Sequence, residues 1–312
     1  MTSARKMGLA VAQMGPVNST DTRASTLKRL LDMLREAKSR GAELVVFPEL
    51  AFTTFFPRYW MDQSAAVAQY FEAAMPNPNV QALFDEAKKL GIGFHIGYAE
   101  ATEDGHFFNT AILVDKHANV VGKYRKVHLP GHADHRPSYP FQHLEKKYFE
   151  VGDLGFKTWD FLNTRVGMCI CNDRRWPETY RVMGLQGAEL VMLGYNTPSR
   201  NNNYHEAPHL PDFHHLLSIQ AGAYQNAMWV AAAGKVGYED GIHMIGGSAI
   251  VAPDGEIVAK AASDIDDEVI FFNVDFSRCD GPREHMFNFA KHRRTEHYGL
   301  IVERTGMAEK ID

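Results

Sequence analysis

The pentapeptide GAELV stands at residues 41–45 and again at residues 187–191. A second echo keeps the same order: AILVDKHANVVGK begins at Ala111 and AIVAPDGEIVAK begins at Ala249. Short repeat periods build solenoids, whereas a period of nearly half the chain implies two similar halves made as one duplicated unit. Each half opens on an apolar strand-like run, LAVAQM from Leu9 and VGMCIC from Val166. A helical stretch follows in each, and GAELV then leads into a further strand.

The first helix shows the required period, with Ser25, Thr26, Leu27, Leu30, Leu31, Met33, Leu34 and Ala37 on one face. FDEAKKLG precedes the strand IGFHIGYAE, and LLSIQAGAYQNA precedes MWVAAAGKV. Strands that alternate with helices argue for an α/β fold. Turn residues inside both AILVDKHANVVGK and AIVAPDGEIVAK read as hairpins, so the sheets are mixed. Two such halves packed sheet on sheet give four layers, an αββα sandwich with an internal pseudo-two-fold repeat. The irregular stretches at 128–140 and 196–212 read as functional loops. Residues 1–312 are expected to form a single domain, with an irregular C-terminal tail from 280 to 312.

With 45% hydrophobic and 23% charged residues and a net charge of −5, the composition is that of an ordinary globular chain. Mild acidity argues against a nucleic-acid binder. The N-terminal stretch MTSARKMGLAVAQMG lacks a signal peptide's apolar core, and no later run has the length of a membrane span. The three cysteines, Cys169, Cys171 and Cys279, suit free thiols in a reducing compartment, so a cytoplasmic location is expected.

Three segments carry residues suited to chemistry. In GMCICNDRRWPE, from Gly167, turn formers follow Cys171 and Pro177 suits the first turn of a helix. Cys171 therefore falls on a strand-to-helix corner, where N–H groups and the helix dipole favour a thiolate. The plain alternative is that Cys169 and Cys171 are both small core residues. Glu49, after the apolar run VVFPEL, emerges at the end of a strand, where a raised pKa would suit a proton acceptor; a solvated loop acid is the alternative. In KYRKVHLP, residues 123–130, the cations read either as a solvated face or as one lysine turned inward to stabilise an oxyanion.

FPEL around Glu49, YRKVHLP around Lys126 and CICNDRRWPE around Cys171, in that order, resemble the nitrilase superfamily of carbon–nitrogen hydrolases. The likeness covers nearly the whole chain, including GGSAIVAPDGEIVA. It implies the four-layer fold, a Glu49-Lys126-Cys171 triad, and a second active-site acid at Glu145 in FQHLEKKYFE. The wider pattern of RKVHLPGH, FQHLEKKYFE, CNDRRWPE, GYNTP and FHHLLSIQAGAYQN is similar to one branch, the N-carbamoyl-D-amino-acid hydrolases. That branch implies a small carboxylated substrate, whose carboxylate Arg174 and Arg175 would hold with Asn196, Thr197 and His143. His128 and Asn172 would stand close by, and the Asn172 N–H would join Lys126 at the oxyanion. Cys169 departs from the pattern, which leads one to expect a larger apolar residue there.

A guanidinium fork matches a carboxylate in shape, which suits the paired arginines to this task; structural pairing with Asp173, Glu178 or the tail is the rival reading. No cofactor and no metal is implied, nor is a nucleic-acid or membrane partner. A homodimer or homotetramer, with the tail across a neighbouring subunit, is expected from the same resemblance. Another nitrilase-like amidase, such as a β-ureidopropionase, is the nearest alternative. A metal-dependent amidohydrolase using His205, His209, His214 and His215 is a remote one, since that stretch has no helical metal-binding spacing.

Overall fold

The computed structural model describes residues 5–62, 64–202 and 206–308. Among these the strands are β1 (Lys6–Gln13), β2 (Leu44–Val46), β3 (Phe71–Glu72), β4 (Gly93–Ala101), β5 (Phe107–Val114), β6 (Val120–Arg125), β7 (Thr158–Phe161), β8 (Thr164–Ile170), β9 (Leu190–Tyr195), β10 (Trp229–Gly234), β11 (Val236–Glu239), β12 (Ile242–Ile245), β13 (Ala249–Val251), β14 (Ile257–Lys260) and β15 (Glu268–Asp275). The helices up to residue 226 are α1 (Arg23–Ser39), α2 (Ser64–Ala68), α3 (Gln81–Leu90), α4 (Glu145–Tyr148), α5 (Pro177–Leu185) and α6 (Leu210–Asn226).

One sheet runs β15-β1-β2-β4-β5-β6, with β3 beside β4, and the other runs β7-β8-β9-β10-β13-β14. The two orders match strand for strand. In each, an antiparallel edge pair is followed by two parallel pairs and then by two antiparallel ones. The duplication read from the sequence is therefore built into the topology, and the fold is the layered α/β sandwich. The pairing of β15 with β1 was not foreseen: a strand from near the chain's end completes the first sheet.

The GAELV echo has a physical cause. Gly41 and Gly187 both adopt positive φ, +94° and +88°, just past the ends of α1 and α5. A Cβ is costly there, which is why glycine opens both copies. The next residues repeat the same bonds: Ala42 N donates to Ala37 O at 3.0 Å and Ala188 N to Met183 O at 3.1 Å. Glu43 N and Glu189 N then each donate at 2.7 Å to the strand beside them, at Gly8 O and Arg165 O.

Alternation along β1 separates two cores. Leu9 and Val11 face the second sheet, while Ala10 and Ala12 face the helix side with Leu30, Leu34, Leu83 and Phe84. α1 packs with α3 on one outer face and α5 with α6 on the other. Among the described residues no helix is long and apolar enough to cross a membrane.

Two sequence expectations need adjustment. The second functional loop ends earlier than residue 212, because α6 starts at Leu210 with Pro211 in its first turn, where the missing N–H costs nothing. The tail from Asp280 is not without order: it contains short helices at Asp280–Glu284, Phe289–His292 and Gly299–Glu303. Its first part is tied to its own chain. Arg283 donates to the carbonyls of Ala188 and Ala227, and Phe287 meets Tyr224 edge-on at 5.0 Å.

The segment after β2 passes between the sheets, and two glycines make room for it. A Cβ on Gly97 of β4 would lie 2.7 Å from Glu49 Cα, and one on Gly194 of β9 would lie 2.6 Å from Glu49 N. Both neighbours are backbone and cannot swing aside. Gly194→Ala should therefore cost about 1–3 kcal/mol of stability, as overpacking does. A lowered denaturation midpoint with an unchanged slope would show it; a midpoint equal to the parent's would mean that the seam yields freely.

Candidate active site

Glu49 is fully buried, and every oxygen of its carboxylate is occupied. Oε1 accepts from Lys126 Nζ at 2.8 Å and from Asn109 Nδ2 at 2.7 Å, and Oε2 accepts from Asn196 N at 2.9 Å. Lys126 stands one residue past β6, with its N–H on Asn109 O at 2.8 Å. Its ammonium also donates to Glu145 Oε2 at 2.5 Å, so one buried cation lies between two buried carboxylates. Glu145 is the first residue of α4, and His143 Nε2 lies 3.4 Å from its Oε1.

Cys171 follows β8 directly and has φ +46°. A left-handed backbone on a non-glycine residue costs roughly 1–2 kcal/mol, and it persists only where the surroundings over-determine it. The strain presents the sulfur at a tight corner before the turn Cys171–Arg175 and α5. Sγ lies 3.5 Å from Asn196 O and 3.9 Å from Thr197 Oγ1. Cys169 remains in the strand, buried in the core between layers.

The electrostatics differ from the expected thiolate. Burial pushes the Cys171 thiol up and the Glu49 charge adds to this, while Lys126 and Arg174 pull it down less strongly. The resting sulfur is thus protonated near neutral pH. Burial likewise raises the Glu49 carboxyl; Lys126 opposes this and the Glu145 charge supports it. Burial alone would raise Glu145 as well, but Lys126 and His143 hold it below the usual range. Lys126 is kept charged: its two acids outweigh a desolvation that would lower it. Two carboxylates around one ammonium thus have pKa values pushed in opposite directions, which suits the raised one, Glu49, to accept a proton.

A cavity of about 220 Å³ opens at Cys171, lined by the loop at 130–143, by Thr197 and the residues after it, and by the start of α6. Four of the expected substrate residues line it: Asn172, Arg175, Thr197 and His143. Three do not. Arg174 turns inward, 2% exposed, with Nη1 on Cys171 O at 2.7 Å and Nη2 on Thr197 Oγ1 at 2.9 Å. Asn196 is spent on Glu49, its side chain donating to Glu49 O at 2.7 Å. His128 stacks on Trp176 at 4.9 Å outside the cavity, with Nδ1 2.8 Å from Asp173 Oδ1. Asn109 went unnoticed in the sequence, since an asparagine in the strand run FFNTAILV carries no motif.

The histidine-rich stretch makes no metal centre among the described residues. His205 lies outside them. His214 pairs with Glu206 at 2.9 Å, and His215 packs on Tyr195 with Nε2 3.2 Å from Gly247 O.

Residues 8–283 match the family described as carbon-nitrogen hydrolase. The chain belongs to that family. An N-carbamoylputrescine amidase of Solanum lycopersicum is 28% identical over 314 residues, covering 97% of each chain. A citrullinase of Francisella tularensis is 30% identical over 308 residues, covering 95% of this chain and 98% of its own. Among solved structures, a carbon-nitrogen hydrolase from Helicobacter pylori G27 has a TM-score of 0.83 at 24% identity, over 96% of this chain and 99% of its own. An amidase from Nesterenkonia has a TM-score of 0.70 at 21% identity, over 92% and 97%. These two likenesses bear on the fold. This carbon–nitrogen hydrolase is therefore an enzyme of the nitrilase superfamily that cleaves amide-type bonds.

The charge arrangement makes a prediction independent of turnover. Since Glu49 raises the Cys171 thiol, Glu49→Gln should let it ionise at lower pH. The pH profile of iodoacetamide alkylation at Cys171, followed by mass spectrometry, should shift downward; an upward shift would contradict the placement of that charge.

Proposed function

We propose that this enzyme hydrolyses N-carbamoyl amino acids, of the D series by the sequence resemblance, to the free amino acid, ammonia and carbon dioxide. The observation that carries the reading is the Arg175 guanidinium in the wall of the cavity that opens on Cys171. A carboxylate held there would set its carbamoyl group at the sulfur. The similar proteins named for N-carbamoylputrescine and citrulline support carbamoyl chemistry. Charge argues against a polyamine end group here. The cavity offers Arg175 and Arg200, while Glu206, the one acid among the described residues that line it, is engaged by His214.

In this mechanism Glu49 takes the thiol proton as Cys171 attacks the carbamoyl carbon. A protonated resting sulfur makes that base necessary, and the raised carboxyl suits it to the task. Lys126 and the Asn172 N–H hold the oxyanion. The intermediate collapses as Glu49 gives the proton to the leaving amino nitrogen, and a carbamoyl group remains on sulfur. Water, activated by Glu49 with Glu145 and Lys126 behind it, releases carbamic acid, which breaks down to ammonia and carbon dioxide. His143 is placed in the cavity wall to meet the substrate. Thr197 is placed likewise. Arg174, Asn196 and His128 act from behind the reacting groups.

We further propose a cytoplasmic location, in keeping with the sparse cysteines, and, from the family resemblance, a homodimer or homotetramer. Leu300, Ile301 and Val302 near the end of the chain are 67%, 57% and 87% exposed, an apolar surface that a second subunit would cover.

A panel of N-carbamoyl-D-alanine, its L enantiomer, N-carbamoyl-β-alanine, N-carbamoylputrescine, citrulline and acetamide should show the highest kcat/KM for the first. Preference for N-carbamoylputrescine or acetamide would overturn the carboxylate reading. Arg175→Ala should raise KM for carbamoyl amino acids at least tenfold, the worth of one charge-assisted contact, and leave acetamide nearly unaffected. Cys171→Ala should abolish turnover.

The acid limb of kcat/KM should lie above the usual carboxylate range, since activity is lost as pH falls through the raised Glu49 value. Glu145→Gln removes one upward push, so the limb should move to lower pH whatever the loss in rate. A limb that stayed in place would belong to another group.

A further inference from the structure

The sulfur and the ammonium come from segments 45 residues apart in sequence, and a buried carboxylate joins them. Asp173, fully buried in the turn after Cys171, accepts four hydrogen bonds. Oδ2 accepts from Ile170 N at 3.0 Å and from Tyr124 Oη at 2.8 Å. Oδ1 accepts from His128 N at 2.9 Å, and His128 Nδ1 lies 2.8 Å away.

The identity of these donors matters more than their number. Ile170 immediately precedes the nucleophile, while Tyr124 and His128 stand two residues before and two after Lys126. The Tyr124 hydroxyl also accepts from Val127 N at 3.2 Å, so both sides of the lysine are held. One side chain therefore ties the peptide entering the strained cysteine to the segment that carries the oxyanion cation. Asn172 adds a second strand to the tie, donating from Nδ2 to His128 O at 3.1 Å. The strained turn is thereby bracketed from both sides. Asp173 holds the N–H ahead of Cys171, and Arg174 holds the carbonyl of Cys171 itself.

We propose that Asp173 is the positioning residue that sets Cys171 against Lys126, with Tyr124 and His128 as its grips on the lysine segment. The inference rests on the roles given above to Cys171 and Lys126. It explains why His128 lies outside the cavity and yet borders the site: its ring is the outer handle of the clasp, stacked with both Trp176 and Phe156. Asp173 touches no reacting atom. Its effect is on the registry of two groups that do, where a displacement of about an ångström costs roughly a hundredfold in rate.

Two variants test this. Asp173→Asn keeps the size but turns an N–H₂ toward donors that need an acceptor; Tyr124→Phe removes one grip and keeps the ring. With N-carbamoyl-D-alanine, Asp173→Asn should lower kcat about 100-fold and Tyr124→Phe about tenfold, each with KM within about threefold of the parent. The pH profile of iodoacetamide alkylation at Cys171 should move upward in Tyr124→Phe, which removes no charge, because Lys126 withdraws from the sulfur. A folded Asp173→Asn protein with the parent's kcat, or a Tyr124→Phe profile that stays in place or moves downward, would overturn the proposal. If Asp173→Asn does not fold, Tyr124→Phe decides on the same criteria. Alkylation needs no substrate, so this test stands even if the panel shows no turnover of carbamoyl amino acids, a result that would sink the functional reading alone.

Discussion

The Lys126 ammonium, unexposed and bonded to Glu49 at 2.8 Å and Glu145 at 2.5 Å, is the interaction on which the site depends. Burying three charges is expensive, and their attraction offsets the cost only when the remaining lone pairs and protons are satisfied. Here Asn109 and the Asn196 N–H complete the coordination of Glu49, and Asn109 also lies 3.4 Å from Glu145. Removing Lys126 would leave two buried acids with no counter-charge between them. Stability alone does not call for such a group, since apolar residues would fill the space as well. What distinguishes it is electrostatic: a cation held in its charged form beside an acid whose pKa is raised.

That cluster sits where it does because of the duplication. The two sheets pack face to face, and the groups arrive at the ends of strands from both. Glu49 follows β2, Lys126 follows β6, and Cys171 follows β8. Pro48 and Glu49 run between the layers, which is feasible only because Gly97 and Gly194 lack side chains. The symmetry of the scaffold is broken at the site. The seam between the halves holds the acid and the cation from one half, and the second half adds the sulfur together with Asn196, whose peptide and side chain grip Glu49 from across the interface.

Much of this was legible in the residues. GAELV repeats because a positive-φ glycine must leave each helix before a buried strand, a local demand that writes itself into sequence twice. The corner at Cys171 was signalled by turn formers and by Pro177, which does open α5. The pairing of β15 with β1 was not legible, because a long-range partner leaves no mark on a strand's own composition. Nor was the charge state of the sulfur. Dipole and N–H arguments pointed to a thiolate, but burial outweighs them, and burial is a property of the packed chain. Asn109 and Tyr124 escaped notice, and Asp173 was read only as a turn former and as a possible partner of the arginines, for a related reason: each acts by where its partners lie, and nothing in its neighbours along the chain says so.

Arg174 and Arg175 show how far adjacency misleads. In a turn of three residues per helical period, neighbouring side chains point about 120° apart. One of the two can face the cavity while the other faces the protein. Arg175 borders the cavity, with Nη1 on Asn172 Oδ1 at 3.1 Å. Arg174 runs beneath the sulfur, over the Tyr195 ring at 5.0 Å, and joins the Cys171 carbonyl to Thr197. Its charge still reaches the thiol, which it lowers. One turn thus places one guanidinium in the cavity wall and the other beneath the sulfur, where its charge favours the thiolate. In the function proposed above, the outer one would meet the substrate carboxylate.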